Sequence, residues 1–169
     1  MKRKYKIISI MVFMVLFFGG IYSLYSSRNG LTTTYYEIAA EKSISTLRLV
    51  HLTDLHNSVF GTDNERLVSE VSKQSPDLIV LTGDMINSDE EDVSIAIRFI
   101  EDLTPIAPVY FSYGNHEVDY ESNYGTDLKA AIEQAGAHVL DFTYEDIQVN
   151  GQKLRLGGLY GYCTPAKYL

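Results

Sequence analysis

The chain contains a single cysteine, Cys163. One thiol cannot close an internal disulfide, and no Cys/His cluster surrounds it. No cysteine lies near the amino terminus, which excludes a lipid anchor of that kind; Cys163 reads as a small buried hydrophobe. Acidic residues are missing from the first 31 positions, which hold five basic ones: Lys2, Arg3, Lys4, Lys6 and Arg28. The remainder carries nine basic residues against 22 acidic ones. A body that acidic lacks the basic surface needed to hold a nucleic-acid backbone, so no nucleic-acid partner is indicated. It suits a soluble domain, or one that concentrates cations. No internal repeat is present. A length of 169 residues, with 46% hydrophobic and 21% charged, suits one domain of moderate size plus an appendage.

The appendage is at the start. MKRKYK is a basic flank, and Ile7 to Leu24 (IISIMVFMVLFFGGIYSL) runs for eighteen residues without a charge. As a helix it spans about 27 Å, close to a bilayer core. The run exceeds the apolar core of a usual signal peptide, and no small-x-small cleavage site follows. The expectation is a membrane anchor, or an uncleaved signal, over residues 1–25, holding membrane lipid. A small polar linker follows at 26–34, then a domain from 35 to 169. The basic flank places the amino terminus in the cytoplasm and the domain outside it, single-pass at the cell membrane. A cleaved signal peptide is the rival reading.

Within the body, YYEIAA reads as an edge strand. TLRLVHL (46–52) alternates Leu47, Leu49 and His51 on one face, the pattern of a strand. A helix is expected from about Asp63, capped by Thr62 with Glu65 three residues on, and striped by Leu67, Val68 and Val71. DLIVL (77–81) reads as a strand buried on both faces. Ser88 to Glu91 offers a second capping box, ahead of Val93, Ala96, Ile97, Ile100 and Leu103 at helical spacing. PVYFSY reads as the third strand and GNHEVDYESNYG as its exit loop. Leu128, Ala131, Ile132 and Ala135 mark a further helix stopped by Gly136. The remainder is β-like, with an Asn150-Gly151 hairpin signal. Strands alternating with helices define an α/β fold with a largely parallel sheet.

In such sheets, ligands sit beyond the carboxyl ends of the strands. The three exit loops begin TDLH, TGD and YGNH. They bring Asp54 and His56, Asp84, and Asn115 and His116 to one rim if the strands are neighbours. Asp-x-His on a turn can share one cation, and carboxylate with imidazole suits Mn, Fe or Zn. A single carboxylate can bridge two cations, and Asp84 comes from the middle element. Gly83 and Gly114 allow sharp turns and close approach. Singly, each residue is as well read as a cap, a turn or a surface histidine; it is the three together that point to a site.

LTDLH, TGDMIN and GNHE resemble the first three signature blocks of the calcineurin-like metallophosphoesterase superfamily, from about Leu49 to Glu117. With the apolar amino terminus, the chain is similar to its membrane-anchored bacterial members. The resemblance implies the βαβαβ half of a four-layer α/β/β/α sandwich, preceded by one transmembrane helix. It implies two divalent metal ions, with Asp54 and His56 on the first, Asp84 bridging, and Asn115 on the second. His116 would be catalytic, placed at the leaving oxygen rather than on a metal. The activity implied is hydrolysis of a phosphomonoester or phosphodiester, with two cations clamping the phosphate oxygens.

The family completes its site with a further histidine and a Gly-His-x-His block, which this sequence does not hold. His138 has no such context and reads as structural, and Asp119 and Glu121 read as surface acids. The expectation is therefore a C-terminally truncated phosphoesterase domain. The alternative is a catalytically inactive, membrane-anchored binding or interaction module on the same fold. An aspartyl-nucleophile phosphohydrolase wants a second Asp after the first strand, which TDLHN lacks.

Overall fold

The computed structural model describes residues 2–39 and 45–159. Cys163 lies outside them. The chain divides into two compact units, residues 1–38 and 39–169. The first is dominated by one helix, α1 (Lys2–Asn29). Its stretch Lys4–Leu24 has a mean hydropathy of 2.4, long and apolar enough to cross a membrane. Its apolar side chains are exposed, Phe13 and Val15 among them. The helix runs on into the residues read as linker. Tyr35 to Ala39 form no strand, contrary to the edge strand expected there.

The second unit is an α/β domain. Its strands are β1 (Leu49–Leu52), β2 (Leu78–Leu81), β3 (Val109–Phe111) and β4 (His138–Val139). They form one sheet in the order β1-β2-β3-β4, every pair parallel. The crossovers are α2 (Glu65–Lys73), α3 (Ser94–Leu103), and the pair α4 (Asn115–Tyr124) and α5 (Leu128–Gln134). Side chains alternate across the sheet. Ile79, Leu81, Val109 and Phe111 face Val71, Ala96, Phe99, Ile100, Leu103, Leu128 and Ile132 from the helices. Leu78 and Tyr110 face the other way, against Leu140 and, at the margin, Ile147 and Leu156. Burial on both faces explains why β2 is apolar throughout. In β1 the residues that reach the core are Val50 and Leu52, while Leu49 and His51 share the exposed face.

Ile147 and Leu156 belong to an antiparallel hairpin of β5 (Tyr144–Val149) and β6 (Gln152–Gly157). Its turn is Asn150-Gly151, with φ of 51° and 77°, the left-handed pair that a two-residue hairpin requires. The Asn150 amide reaches the Thr46 carbonyl at 3.4 Å, tying the turn to the chain ahead of β1. His138 stacks on Tyr110 with centroids 4.7 Å apart and pairs with Glu145 at 3.2 Å, a structural place on the hairpin side.

Three local expectations are corrected. Neither capping box forms. α2 starts after Asn64, whose φ is 63° and whose Oδ1 accepts the Phe60 N–H instead. α3 starts at Ser94, whose N–H is taken by Asp92 Oδ1 at 2.9 Å. The stripe read on α3 also omitted Phe99, which is fully buried at its centre. The third correction concerns GNHEVDYESNY, expected as loop, which is mostly the helix α4. Its apolar periodicity is weak, and it is held by tertiary hydrogen bonds. The Tyr120 hydroxyl donates to the Glu91 carbonyl at 3.0 Å and the Asn123 amide to the Ser88 carbonyl at 3.0 Å. It ends on Gly125 at φ 63°, a left-handed stop.

Candidate metal centre

Beyond Leu52 and Leu81 the chain leaves the sheet, yet the two exit loops stay paired. Thr82 N–H donates to the Leu52 carbonyl, Asp54 N–H to Gly83, His56 N–H to Asp84 and Asn57 N–H to Met85, all at 3.0–3.1 Å. This pairing needs a tight backbone. Asp54, His56, Asn57 and Asp84 all take left-handed conformations, with φ between 48° and 56°. Asp, Asn and His are the non-glycine residues that tolerate this region best. Four of them in two facing loops is a concentration of strain of the kind found at functional sites.

The result is a cluster of donors. Asp54, His56 and Asp84 each offer a ligand atom, all within 4.8 Å of one another. His56 Nε2 lies 3.7 Å from Asp54 Oδ1. Asp54 is exposed and the other two are half-buried, so the cluster opens to solvent. Two carboxylates and an imidazole converging without a lysine or arginine among them are electron-rich groups. They fit a divalent cation by chemistry and by spacing.

Strand β3 delivers the third loop. Gly83 and Gly114 pass so close that a Cβ on Gly83 would strike the Gly114 backbone. One on Gly114 would strike the Asp84 carboxylate. Asn115 follows, exposed, as the first residue of α4. His116 N–H donates to Asp84 Oδ1 at 2.9 Å. The His116 ring meets that of His56 edge-on, with centroids 4.5 Å apart and planes at 83°. The structure thus gathers Asp54, His56 and Asp84 in one cluster, sets His116 against His56 and Asp84, and sets Asn115 between two neighbours of Asp84.

Sequence reasoning missed what holds these loops together. Glu117 is completely buried. Its Oε2 accepts the Asp84 and Gly114 N–H groups, both at 2.8 Å, and its Oε1 accepts that of Met85 at 2.9 Å. Three N–H donors, one at the amino terminus of α4 and two in the β2 exit loop, replace the water a buried carboxylate loses. One side chain thereby clamps the β2 exit loop to the β3 exit loop. The signal was available: a Glu three residues after a helix-initiating Gly is the acidic half of a capping box.

Glu121, read as a surface acid, is a half-buried acceptor for the Tyr113 hydroxyl at 2.9 Å and the Leu128 N–H at 3.1 Å. Burial, then the Glu121 carboxylate, push the Tyr113 phenol upward, so it stays a donor. Also missed were Asn57, Asn87 and Glu90. The Asn57 and Asn87 amides donate to the two Glu90 carboxylate oxygens at 2.9 and 2.7 Å. Asn57, then Asn87, hold the Glu90 carboxyl below its usual range. None of these three carries an apolar period or a metal-ligand spacing that would have singled it out.

A parallel sheet whose carboxyl rim gathers Asp-x-His, Gly-Asp and Gly-Asn-His defines a metal-dependent phosphoesterase fold. The family model for calcineurin-like phosphoesterases matches residues 47–167, and the chain belongs to that family. It is 27% identical over 133 residues to an uncharacterized metallophosphoesterase of Campylobacter jejuni, covering 75% of this chain and 36% of that protein. A Danio rerio transmembrane protein with a metallophosphoesterase domain is 31% identical over 102 residues, 57% of this chain and 23% of the relative. An uncharacterized metallophosphoesterase of Bacillus subtilis is 26% identical over 120 residues, 70% of this chain and 44% of the relative. The chain spans less than half the length of each.

Proposed function

We propose that the protein is a membrane-anchored, metal-dependent hydrolase of a phosphomonoester or phosphodiester. The observation that carries this reading is the donor cluster of Asp54, His56 and Asp84, with His116 against it, at the rim where the sheet ends. Asp54 and His56 would hold one divalent cation, Asp84 would bridge to a second, and Asn115 would serve the second. Mn, Fe and Zn all suit these donors. Cations bound there would supply Lewis acidity to the phosphate oxygens and lower the pKa of a nucleophilic water. The chain's own residues do the rest. Asp84, held by the His116 N–H through Oδ1, orients the cluster. His116 stands beside it as the group that hydrogen-bonds the leaving oxygen.

The anchor would be residues 1–25, the linker 26–34 and the phosphoesterase domain 35–169. The basic flank Lys2–Lys6 supports a cytoplasmic amino terminus and a domain outside the cytoplasm. The family supports the reaction class, and the membrane-protein relative supports anchoring. The alternative is an anchored module that binds without hydrolysis. It is favoured by the cluster's stopping at three His and carboxylate donors among the described residues. Hydrolysis of an aryl phosphodiester with added Mn2+ or Zn2+ separates the two. The enzyme reading expects turnover that Asp84→Asn abolishes; equal rates for the two proteins would overturn it.

A further inference from the structure

The loop from Asn87 to Glu90 touches both histidines of the rim, by opposite kinds of hydrogen bond. Glu90, as a carboxylate, can only accept. It therefore dictates the orientation of the two amides that contact it. Asn57 turns its Nδ2 to Glu90 and is left with a buried Oδ1 that has no hydrogen-bond partner among the described residues. Asn87 turns its Nδ2 to Glu90 and, at 3.3 Å, to the His56 carbonyl. Its Oδ1 is then what faces His56 Nδ1, at 3.2 Å. An amide oxygen accepts, so His56 Nδ1 carries the proton. The lone pair is on Nε2, the atom that faces Asp54 Oδ1 at 3.7 Å. At His116 the logic inverts. The Ser88 backbone N–H donates to His116 Nδ1 at 3.1 Å. A backbone nitrogen cannot accept, so Nδ1 holds the lone pair and the proton is on Nε2.

We infer that the Asn87–Glu90 loop imposes opposite tautomers on two touching histidines, with Asn87 and Glu90 as positioning residues for His56. His56 presents a lone pair at Nε2, as a metal ligand must; His116 presents an N–H there, as a hydrogen-bond donor to an oxygen must. The division of labour between them is set by one loop. Glu90–Asn87 acts on His56 as a carboxylate acting through an amide, the arrangement that fixes ring orientation and ligand basicity at metal sites. The same loop is moored to α4, the helix that carries His116, through Asn123 on Ser88 and Tyr120 on Glu91. The tautomers follow from the hydrogen bonds alone; their use rests on the metal-site reading above.

The test is long-range 1H–15N correlation on the metal-free, full-length protein in detergent, labelled at histidine, at about pH 8, above the ordinary imidazole range. His51 and His138 serve as internal references. The expected spectrum shows Nδ1–H for His56 and Nε2–H for His116. Asn87→Leu returns His56 toward Nε2–H, leaves His116 unchanged, and weakens Zn2+ binding by about 10- to 100-fold in calorimetry. Glu90→Gln, at an exposed position where the fold is not at stake, lets Asn87 flip and moves His56 in the same direction by less. An Nε2–H signal for wild-type His56, or a His56 pattern unmoved by both substitutions, overturns the inference. If the tautomers behave as stated while the wild type binds no Zn2+, the inference stands and the metal-site reading fails.

Discussion

Leu78–Leu81 and Gly83–Asn87 are neighbours in the chain, and their physics has little in common. The strand is apolar, extended and buried on both faces. Its position follows from hydrophobic burial and a parallel ladder to either side. The loop buries Met85 and Ile86 in the core but presents Asp84 and Asn87 at the rim, and it is in part left-handed, with φ of 86° at Gly83 and 53° at Asp84. It is held by hydrogen bonds to the β1 exit and to Glu117. The strand illustrates a structure that many apolar sequences could make, because packing needs volume more than identity. The loop illustrates one where single atoms decide. Core substitutions should therefore lower stability without altering cation affinity per folded molecule, and rim substitutions should do the reverse.

Phe99→Ala is expected to have the largest effect on stability, about 3–5 kcal/mol, because it opens a cavity under the sheet. Denaturant unfolding would measure it, and the folded fraction should still bind cations. Glu117→Ala breaks the division, since Glu117 is both core and rim. It leaves three N–H groups without their acceptor, a loss of about 3 kcal/mol or more, and it should weaken cation binding as well. A loss of stability with unchanged binding would show that the clamp does not position the site. Gly114→Ala should cost about 1–3 kcal/mol by overpacking and should displace Asp84, which a Cβ would strike. A crystal structure of that variant with Asp84 unmoved would refute the close-approach argument.

The smallest effect expected is from acid. The Arg48 N–H, foremost, and Asn150 hold the Asp77 carboxyl below the usual carboxylate range. A carboxyl whose folded pKa is depressed stabilises above the unfolded value and loses that contribution as pH falls through the folded one. Stability should therefore drop below about pH 4, with Asp77 contributing to the drop. Asp77→Asn should flatten that part of the profile in thermal unfolding, and an unchanged profile would assign the drop to other groups.

How much of this was legible differs between the same two regions. The strands β1, β2 and β3 and the helices α2, α3 and α5 were readable from apolar periodicity and turn residues, because burial writes a regular pattern. Asp54, His56, Asp84 and His116 were readable because motif blocks at strand ends carry them to one rim. Helix α4 was not, because Tyr120 and Asn123 hold it through hydrogen bonds to Glu91 and Ser88, contacts without a period. Both expected capping boxes failed for a related reason. Asn64 closes the turn at Phe60, and the Ser88 N–H is engaged by His116. Glu117 carries a local signal, three residues after Gly114, but its bonds to Asp84 and Met85, like that of Glu90 to Asn57, join residues distant in sequence and leave no local pattern.

The central claim is that the rim of Asp54, His56 and Asp84 is a cation site. Calorimetric titration of the metal-free, full-length protein with Mn2+ or Zn2+, beside Asp84→Asn, tests it most directly. An asparagine at 84 can still accept the His116 N–H, so the two proteins should unfold at the same temperature without metal. The wild type should bind saturably, and the variant more weakly by a factor of about ten or greater. Equal affinities, or no binding by the wild type, would contradict the account.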